Sequence, residues 1–204
     1  MKIKDLLARE GVTFSCEIFP PRREEGFPEV LRVADAICGL GADFISVTYG
    51  AGGSASKKTV EIAEHIQKEG HTPALAHLTC IGSTREDVAA RVAEMRARGI
   101  ENILALRGDP PKDGAPTAGD YAHAVDLIRD VKERGDFCIG GACYPEGHTE
   151  CASRGADLDH LKEKVEAGCD FLTTQMFFDN NFYYNFLYRA LSAGITVPII
   201  PGIM

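Results

Sequence analysis

No CxxC pair, no basic excess and no long apolar run occur in these 204 residues. The seven cysteines, Cys16, Cys38, Cys80, Cys138, Cys143, Cys151 and Cys169, stand singly, and without paired spacing they make no zinc site. Their odd number and their place in apolar runs suit reduced core thiols of a cytoplasmic protein. Lys and Arg number 22 against 30 Asp and Glu, a net charge of −8. A nucleic-acid binder needs a basic face to replace counterions, and none is present. The tightest basic cluster, Arg91 to Arg98, is spaced like the solvated face of a helix. No run approaches the roughly 20 apolar residues of a membrane helix, and MKIKDLLARE at the N-terminus has no signal-peptide core. His77 and His148 have no ligand-spaced companions, and no Ser-His-Asp or Cys-His order stands out.

What is present is a repeat of pattern without identity. Strand-like runs begin near Thr13, Asp43, Ala74, Asn102, Phe137, Phe171 and Val197, about thirty residues apart. Amphipathic stretches lie between them at 28–40, 56–68, 84–98, 120–134 and 158–167. Ser83 opens STRED as a helix N-cap with acids in the first turn. Gly41, Gly70, Gly99, Gly135, Gly168 and Gly194 fall where a helix C-cap wants a left-handed residue. Strand, helix, strand at a fixed period predicts an α/β fold with a parallel sheet. Two architectures compete, a (β/α)8 TIM barrel and an open doubly wound sheet. The open sheet announces itself with a glycine-rich phosphate turn after its first strand, whereas here the first run ends in FPPRREEG. Polar residues recur instead at successive strand ends: Glu17, Thr48, His77, Arg107 with Asp109, Tyr144 and Gln175. A barrel keeps its active site there, and the barrel is the favoured reading.

Each of these residues has an ordinary explanation beside a chemical one. Glu17, in SCEIFPPR, could pair with Arg22; deep in an apolar barrel mouth, desolvation would raise its pKa and let it serve as a general acid. VTYGAGGS, from Val47, is a glycine-rich loop, a weak signal alone. His77 could be a satisfied core histidine. In ALRGDPP, Arg107 and Asp109 could be a plain ion pair, yet residues i and i+2 share a strand face and would enter one cavity. An arginine there suits a phosphate or a carboxylate. YPEGH adds Tyr144 and His148, and TTQMFFD adds Gln175, either a structural amide or a partner for a heterocycle's edge. The residues alone point to an enzyme that binds a phosphate-bearing heterocycle and has carboxylates for proton work.

In order and spacing, SCEIFPPR, SVTYGAGGS, HLTCIG, ILALRGDPP, YPEGH, LKEKVEAGCDF, TTQMFFD and IIPGIM resemble the catalytic domain of the methylenetetrahydrofolate reductase family. The resemblance runs from near the start to the last residue. It implies one flavin-binding TIM-barrel domain over residues 1–204 that holds FAD at the C-terminal strand ends. It implies that NADH or NADPH reduces the flavin and leaves, after which methylenetetrahydrofolate takes its place and is reduced to methyltetrahydrofolate. That is a ping-pong reaction of one-carbon metabolism and methionine biosynthesis. Glu17 matches the acid that opens the folate's bridging ring. Asp109 matches the aspartate beside the flavin and the pterin, and Gln175 the amide that contacts folate and nicotinamide. Thr48 matches a position near the nicotinamide. Tyr49, Ala51, His77, Arg107, Gly108, Ala122, Tyr144, His148, Asp157 and Lys164 match flavin contacts. His160 matches a polar contact that varies, and Cys151 and Glu163 match weaker ones.

Family members continue through an eighth strand, and this sequence ends on the seventh at Met204. The expected barrel is therefore incomplete, finished by a further C-terminal segment or by self-association. Two alternatives stand beside the reductase. One is a partner-dependent flavin-binding subunit of the same family. The other is an unrelated barrel aldolase, which would want a lysine within a strand, and no strand-like run has one. Small molecules are the expected partners, with no nucleic acid and no membrane.

Overall fold

A computed structural model describes residues 1–49, 53–109 and 118–203, the side chains of 53–57 excepted. Fourteen elements follow in order. They are α1 (Ile3–Leu7), β1 (Ser15–Ile18), α2 (Phe27–Gly39), β2 (Phe44–Val47), α3 (Gly53–Lys68), β3 (Ala74–Thr79) and α4 (Arg85–Ala97). After these come β4 (Asn102–Leu106), α5 (Ala124–Arg134), β5 (Cys138–Cys143), α6 (Arg154–Glu166), β6 (Phe171–Thr174), α7 (Asn180–Ser192) and β7 (Ile199–Ile200). A single 3₁₀ turn, Glu24–Gly26, leads into α2.

The seven strands are all parallel and pair strictly in sequence order, with β1 and β7 at the two edges. A doubly wound sheet would reverse its order at a switch point; this one does not. It curls into an incomplete (β/α)8 TIM barrel, as the position of its polar residues predicts.

Strand alternation sorts side chains into two layers. The outward set, including Ile18, Ile45, Val47, Ala76, Leu78, Ile103, Ala105, Ile139 and Leu172, packs under the helices in the larger core. The inward set, Phe44, Leu75, Leu104, Cys138 and Phe171, forms a second core at the N-terminal ends of the strands. Ile3 and Leu6 of α1 complete that core and close the bottom of the barrel. Asn102, fully buried, accepts from the Ile3 amide at 2.8 Å and donates to the Ala74 and Met1 carbonyls. Lys2–Asp136 at 2.5 Å, Lys4–Asp170 at 3.3 Å and the N-terminal amine with Glu101 fasten the same segment.

Several local expectations need correction. α1 and α7 have no counterpart among the predicted helices. The N-cap of α4 is Thr84, not Ser83; its hydroxyl accepts from the Asp87 amide while Asp87 accepts from the Thr84 amide. Gly41, Gly99, Gly168 and Gly194 take the positive φ expected of them, whereas the residue with positive φ after α3 is His71, at 49°. Gly70 is needed for space, since a Cβ there would lie 2.3 Å from the Cys38 sulfur. Gly135, at φ 163°, is simply extended. Arg91 and Arg98 are partly covered rather than fully solvated, and Arg98 pairs with Glu64 and Glu94.

All seven cysteines are free. Burial pushes the thiols of Cys80 and Cys138 up to about 11 and that of Cys169 to about 12, which keeps them unreactive. Among the described residues no helix is long and apolar enough to cross a membrane, and no group of three or more His, Cys, Asp or Glu could hold a metal ion.

Candidate active site

The C-terminal strand ends open on a cavity of about 1090 Å³. That is at the upper end of the size usual for a small-molecule or cofactor site, roughly 300–1,000 Å³. Of the residues singled out in the sequence, Tyr49, Arg107, Gly108, Asp109, Tyr144, His148, Asp157, His160 and Lys164 line it, with Cys151 and Glu163. The i, i+2 spacing does bring Arg107 and Asp109 to one cavity. They are not each other's partner: Arg107 donates from both terminal nitrogens to Glu150, at 2.6 and 2.8 Å. That pair raises the guanidinium pKa and lowers that of the exposed Glu150.

Lys164 projects from α6 toward the end of β5, where its Nζ donates to the Ala142 carbonyl at 3.0 Å. Desolvation lowers its pKa. An anion entering the cavity would therefore find a cation with little water around it. Asp157 accepts from the His148 amide at 3.2 Å and from the Cys151 thiol at 3.6 Å, holding the YPEGH loop against α6. Tyr144 meets the His148 ring edge-on, with centroids 4.6 Å apart. At Gly108 (φ +87°) a Cβ would lie 2.8 Å from Ile81 and 3.2 Å from Thr79, so only glycine lets the chain turn here at the cavity wall.

Five expected residues, Thr48, Ala122, Gln175, Glu17 and His77, lie outside that wall. Ala122 lines a smaller neighbouring cavity of about 490 Å³, with Arg107 and Glu150. Gln175 is exposed just past the end of β6, so it is not the buried structural amide that was the alternative. Its backbone amide donates to the Cys143 carbonyl and ties the strand end to β5. Thr48 follows β2, where its carbonyl accepts from the Thr59 hydroxyl at 2.9 Å. Ala51 lies outside the described residues.

Glu17 and His77 meet through a residue the sequence reading did not single out. Ser46 is the register partner of Glu17 on β2, and its hydroxyl donates to Glu17 Oε2 at 3.3 Å. Ser46 Oγ is also 2.6 Å from His77 Nε2, which is itself 3.4 Å from Glu17 Oε2. His77 and Ser46 are buried; the Glu17 side chain is 47% exposed. Glu17 thus has partners, and they are not Arg22. The expected upward pKa shift is also wrong: the contact with His77 outweighs desolvation and, with the Ser46 hydroxyl, holds the carboxyl below its usual range.

Sequence reasoning also missed Asp87, Arg91, His123 and Glu150 on the cavity wall. Arg91 and Asp87 read as ordinary surface of an amphipathic helix, and nothing in a one-dimensional pattern shows that α4 leans over the strand ends.

Comparison with known proteins places this architecture in a family. The methylenetetrahydrofolate reductase family model matches residues 2–204. The chain is 38% identical to a rice protein named probable methylenetetrahydrofolate reductase (NADH), over all of this chain and 36% of that one. It is 41% identical to the 5,10-methylenetetrahydrofolate reductase of Salmonella typhimurium, over 95% of this chain and 64% of the relative. It therefore spans about a third of the plant protein and under two thirds of the bacterial one. Among solved structures, an uncharacterised Clostridium thermocellum protein that binds two copies of 5-methyl-5,6,7,8-tetrahydrofolic acid superposes with TM-score 0.66. Identity is 14%, over 98% of this chain and 69% of that one. A 2,3-dimethylmalate lyase superposes at 0.62, also with 14% identity, over 97% of this chain and 79% of that one; at such identity these likenesses speak for the fold. With the whole chain matched by the family model and by relatives near 40% identity, the chain belongs to the methylenetetrahydrofolate reductase family.

Proposed function

We propose that this chain is the flavin-binding catalytic part of a cytoplasmic enzyme that reduces 5,10-methylenetetrahydrofolate to 5-methyltetrahydrofolate with NADH or NADPH. The observation that carries this reading is the large cavity at the strand ends, with Arg107, Lys164 and Asp109 in its wall, in a chain of this family. The cavity suits FAD on three counts. Its size is adequate, its arginine and its desolvated lysine suit a pyrophosphate, and Gly108 permits a close approach of backbone to ligand.

When bound, FAD would supply hydride transfer between the nicotinamide and the folate. The chain's own residues have the following tasks. Arg107 and Lys164 neutralise phosphate, which requires Arg107 to leave Glu150. Tyr144, His148, Asp157 and His160 shape the wall beside them, with Tyr49, Thr48, His77, Ala51 and Ala122 as further cofactor contacts. Asp109 presents a negative charge toward the reacting rings, which disfavours additional negative charge there. Gln175, exposed just past the end of β6, offers a donor and an acceptor to either substrate. Glu17 supplies the proton that opens the folate's bridging ring.

The test is direct. Purified protein is expected to take up FAD, turn yellow, and be bleached anaerobically by NADH or NADPH, then recoloured by methylenetetrahydrofolate. Protein that takes up no FAD would end the flavoenzyme reading. Recolouring by oxygen but not by the folate would leave the partner-dependent subunit as the better one.

A further inference from the structure

We propose that Ser46 is a proton conduit through which His77 recharges Glu17, making Ser46 a positioning residue of the folate-reducing step. The inference rests on the reductase reading for its purpose, and on the geometry of three adjacent strands for its content.

A general acid has to begin protonated, yet Glu17 sits in surroundings that favour its carboxylate. Its proton has to be kept nearby and delivered when needed. Among the described residues, the ionisable side chain that faces Glu17 from the packed strands is His77, and the other polar group facing it is Ser46. The direct separation between His77 Nε2 and Glu17 Oε2 is 3.4 Å, long for a hydrogen bond, whereas Ser46 Oγ is 2.6 Å from Nε2 and 3.3 Å from Oε2. The path through the hydroxyl contains the shortest contact of the three.

A serine hydroxyl has one proton to donate and lone pairs to accept with. Placed between two partners it donates to one and accepts from the other, so the direction of the whole chain is set by Glu17. With Glu17 ionised, Ser46 donates to the carboxylate and Nε2–H donates to Ser46. With Glu17 protonated, the carboxyl O–H donates to Ser46 and Ser46 donates to the bare Nε2. The second state follows from the first by balanced transfers: imidazolium Nε2 gives its proton to Ser46 Oγ as Ser46 gives its own to Glu17. Imidazolium plus carboxylate become imidazole plus carboxylic acid, with Ser46 unchanged. Once Glu17 has protonated the substrate nitrogen, the same shift refills it. Alanine at 46 would keep the fold of the strand and remove the conduit.

The test compares the full-chain protein with Ser46→Ala and Ser46→Thr. One readout is the two half-reactions followed separately; the other, which needs no substrate, is the titration of the Glu17 carboxyl by carbon NMR. In Ser46→Ala, folate-driven flavin reoxidation should slow by roughly 10-fold or more, since general acid catalysis is worth about 10²–10⁴ in rate. Flavin reduction by the nicotinamide should be unaffected, and the Glu17 midpoint should move up as a donor to its carboxylate is lost. Threonine should restore both. Equal slowing of both half-reactions, no rescue by threonine, or an unmoved Glu17 midpoint would each overturn the conduit. If the unaltered protein reduces no folate, the reductase reading fails by itself and the titration alone decides the inference.

Discussion

The inner face of the barrel is two environments stacked along the same strands. At the N-terminal ends, Phe44, Leu75, Leu104, Cys138 and Phe171 interlock against α1, and all are buried. Two residues further along the same strands the inward positions become Ser46, His77, Leu106, Gly140 and Thr173, with Glu17 on β1. Gly140 marks the border: a Cβ there would lie 2.6 Å from the Phe171 ring and 2.9 Å from Leu104, so the lower layer fills the space that a side chain would occupy. The lower layer is packed and apolar, so it tolerates no missing volume. The upper layer is partly open, so it can hold ionisable groups at a cost the hydrogen bonds among them offset. Apolar packing and ionisable groups are divided along one strand direction, and a barrel keeps its active site at the end where the ionisable groups lie.

Substitutions that hit one layer and spare the other test this division. The largest expected effect is on chemistry. Glu17→Gln should reduce the folate half-reaction by about 10²–10⁴, the range for a lost general acid, while nicotinamide-driven flavin reduction persists. Stopped-flow traces of the two steps give the answer, and a melting curve should shift little, because the amide keeps the shape of the carboxyl. A comparable loss in both steps would mean that Glu17 organises the mouth as a whole, and the division would be less sharp than drawn.

The mirror experiment is Phe171→Ala. Phe171 is fully buried against α1 and Gly140, so the variant should lose about 3–5 kcal/mol of stability in urea titration, the usual cost of removing a core aromatic. What remains folded should still bind FAD, since Phe171 is not on the cavity wall. Loss of flavin affinity at full occupancy of the folded state would show the two layers to be coupled.

How much of this was legible beforehand follows from the range of each interaction. Strand positions and the polar residues at their ends repeat with a local period, and the barrel follows from them. α1 was illegible: five residues, IKDLL, carry too little periodicity to be read, and their purpose depends on Asn102 about a hundred positions away. α7, NNFYYNFLYRALS, is rich in aromatics and opens on asparagines, a composition that does not advertise a helix, and its cap comes from the Asp179 side chain. In the site, the i, i+2 spacing brings Arg107 to the cavity but does not show its partner, because Glu150 approaches from a separate loop. The direction of the Glu17 shift was misjudged for the same reason. Burial is visible in a pattern of neighbours, whereas Ser46 and His77 arrive from 29 and 60 residues further along the chain.

That shift yields the smallest effect expected. Glu17 has its folded-state pKa lowered, chiefly by its contact with His77, with the Ser46 hydroxyl adding to it. A lowered carboxyl contributes stability that is present above its unfolded value, about 4.5, and is lost as pH falls through the lower folded value. With the side chain half exposed, solvent screens much of that contribution. Urea titrations of the unaltered protein and of Glu17→Gln from pH 5.5 down to pH 3 should therefore show a modest stability gap that narrows with acid. A gap that widens instead would mean the folded carboxyl prefers its proton. Burial would then outweigh the contacts from His77 and Ser46, and the upper layer would resemble the lower one more than its hydrogen bonds suggest.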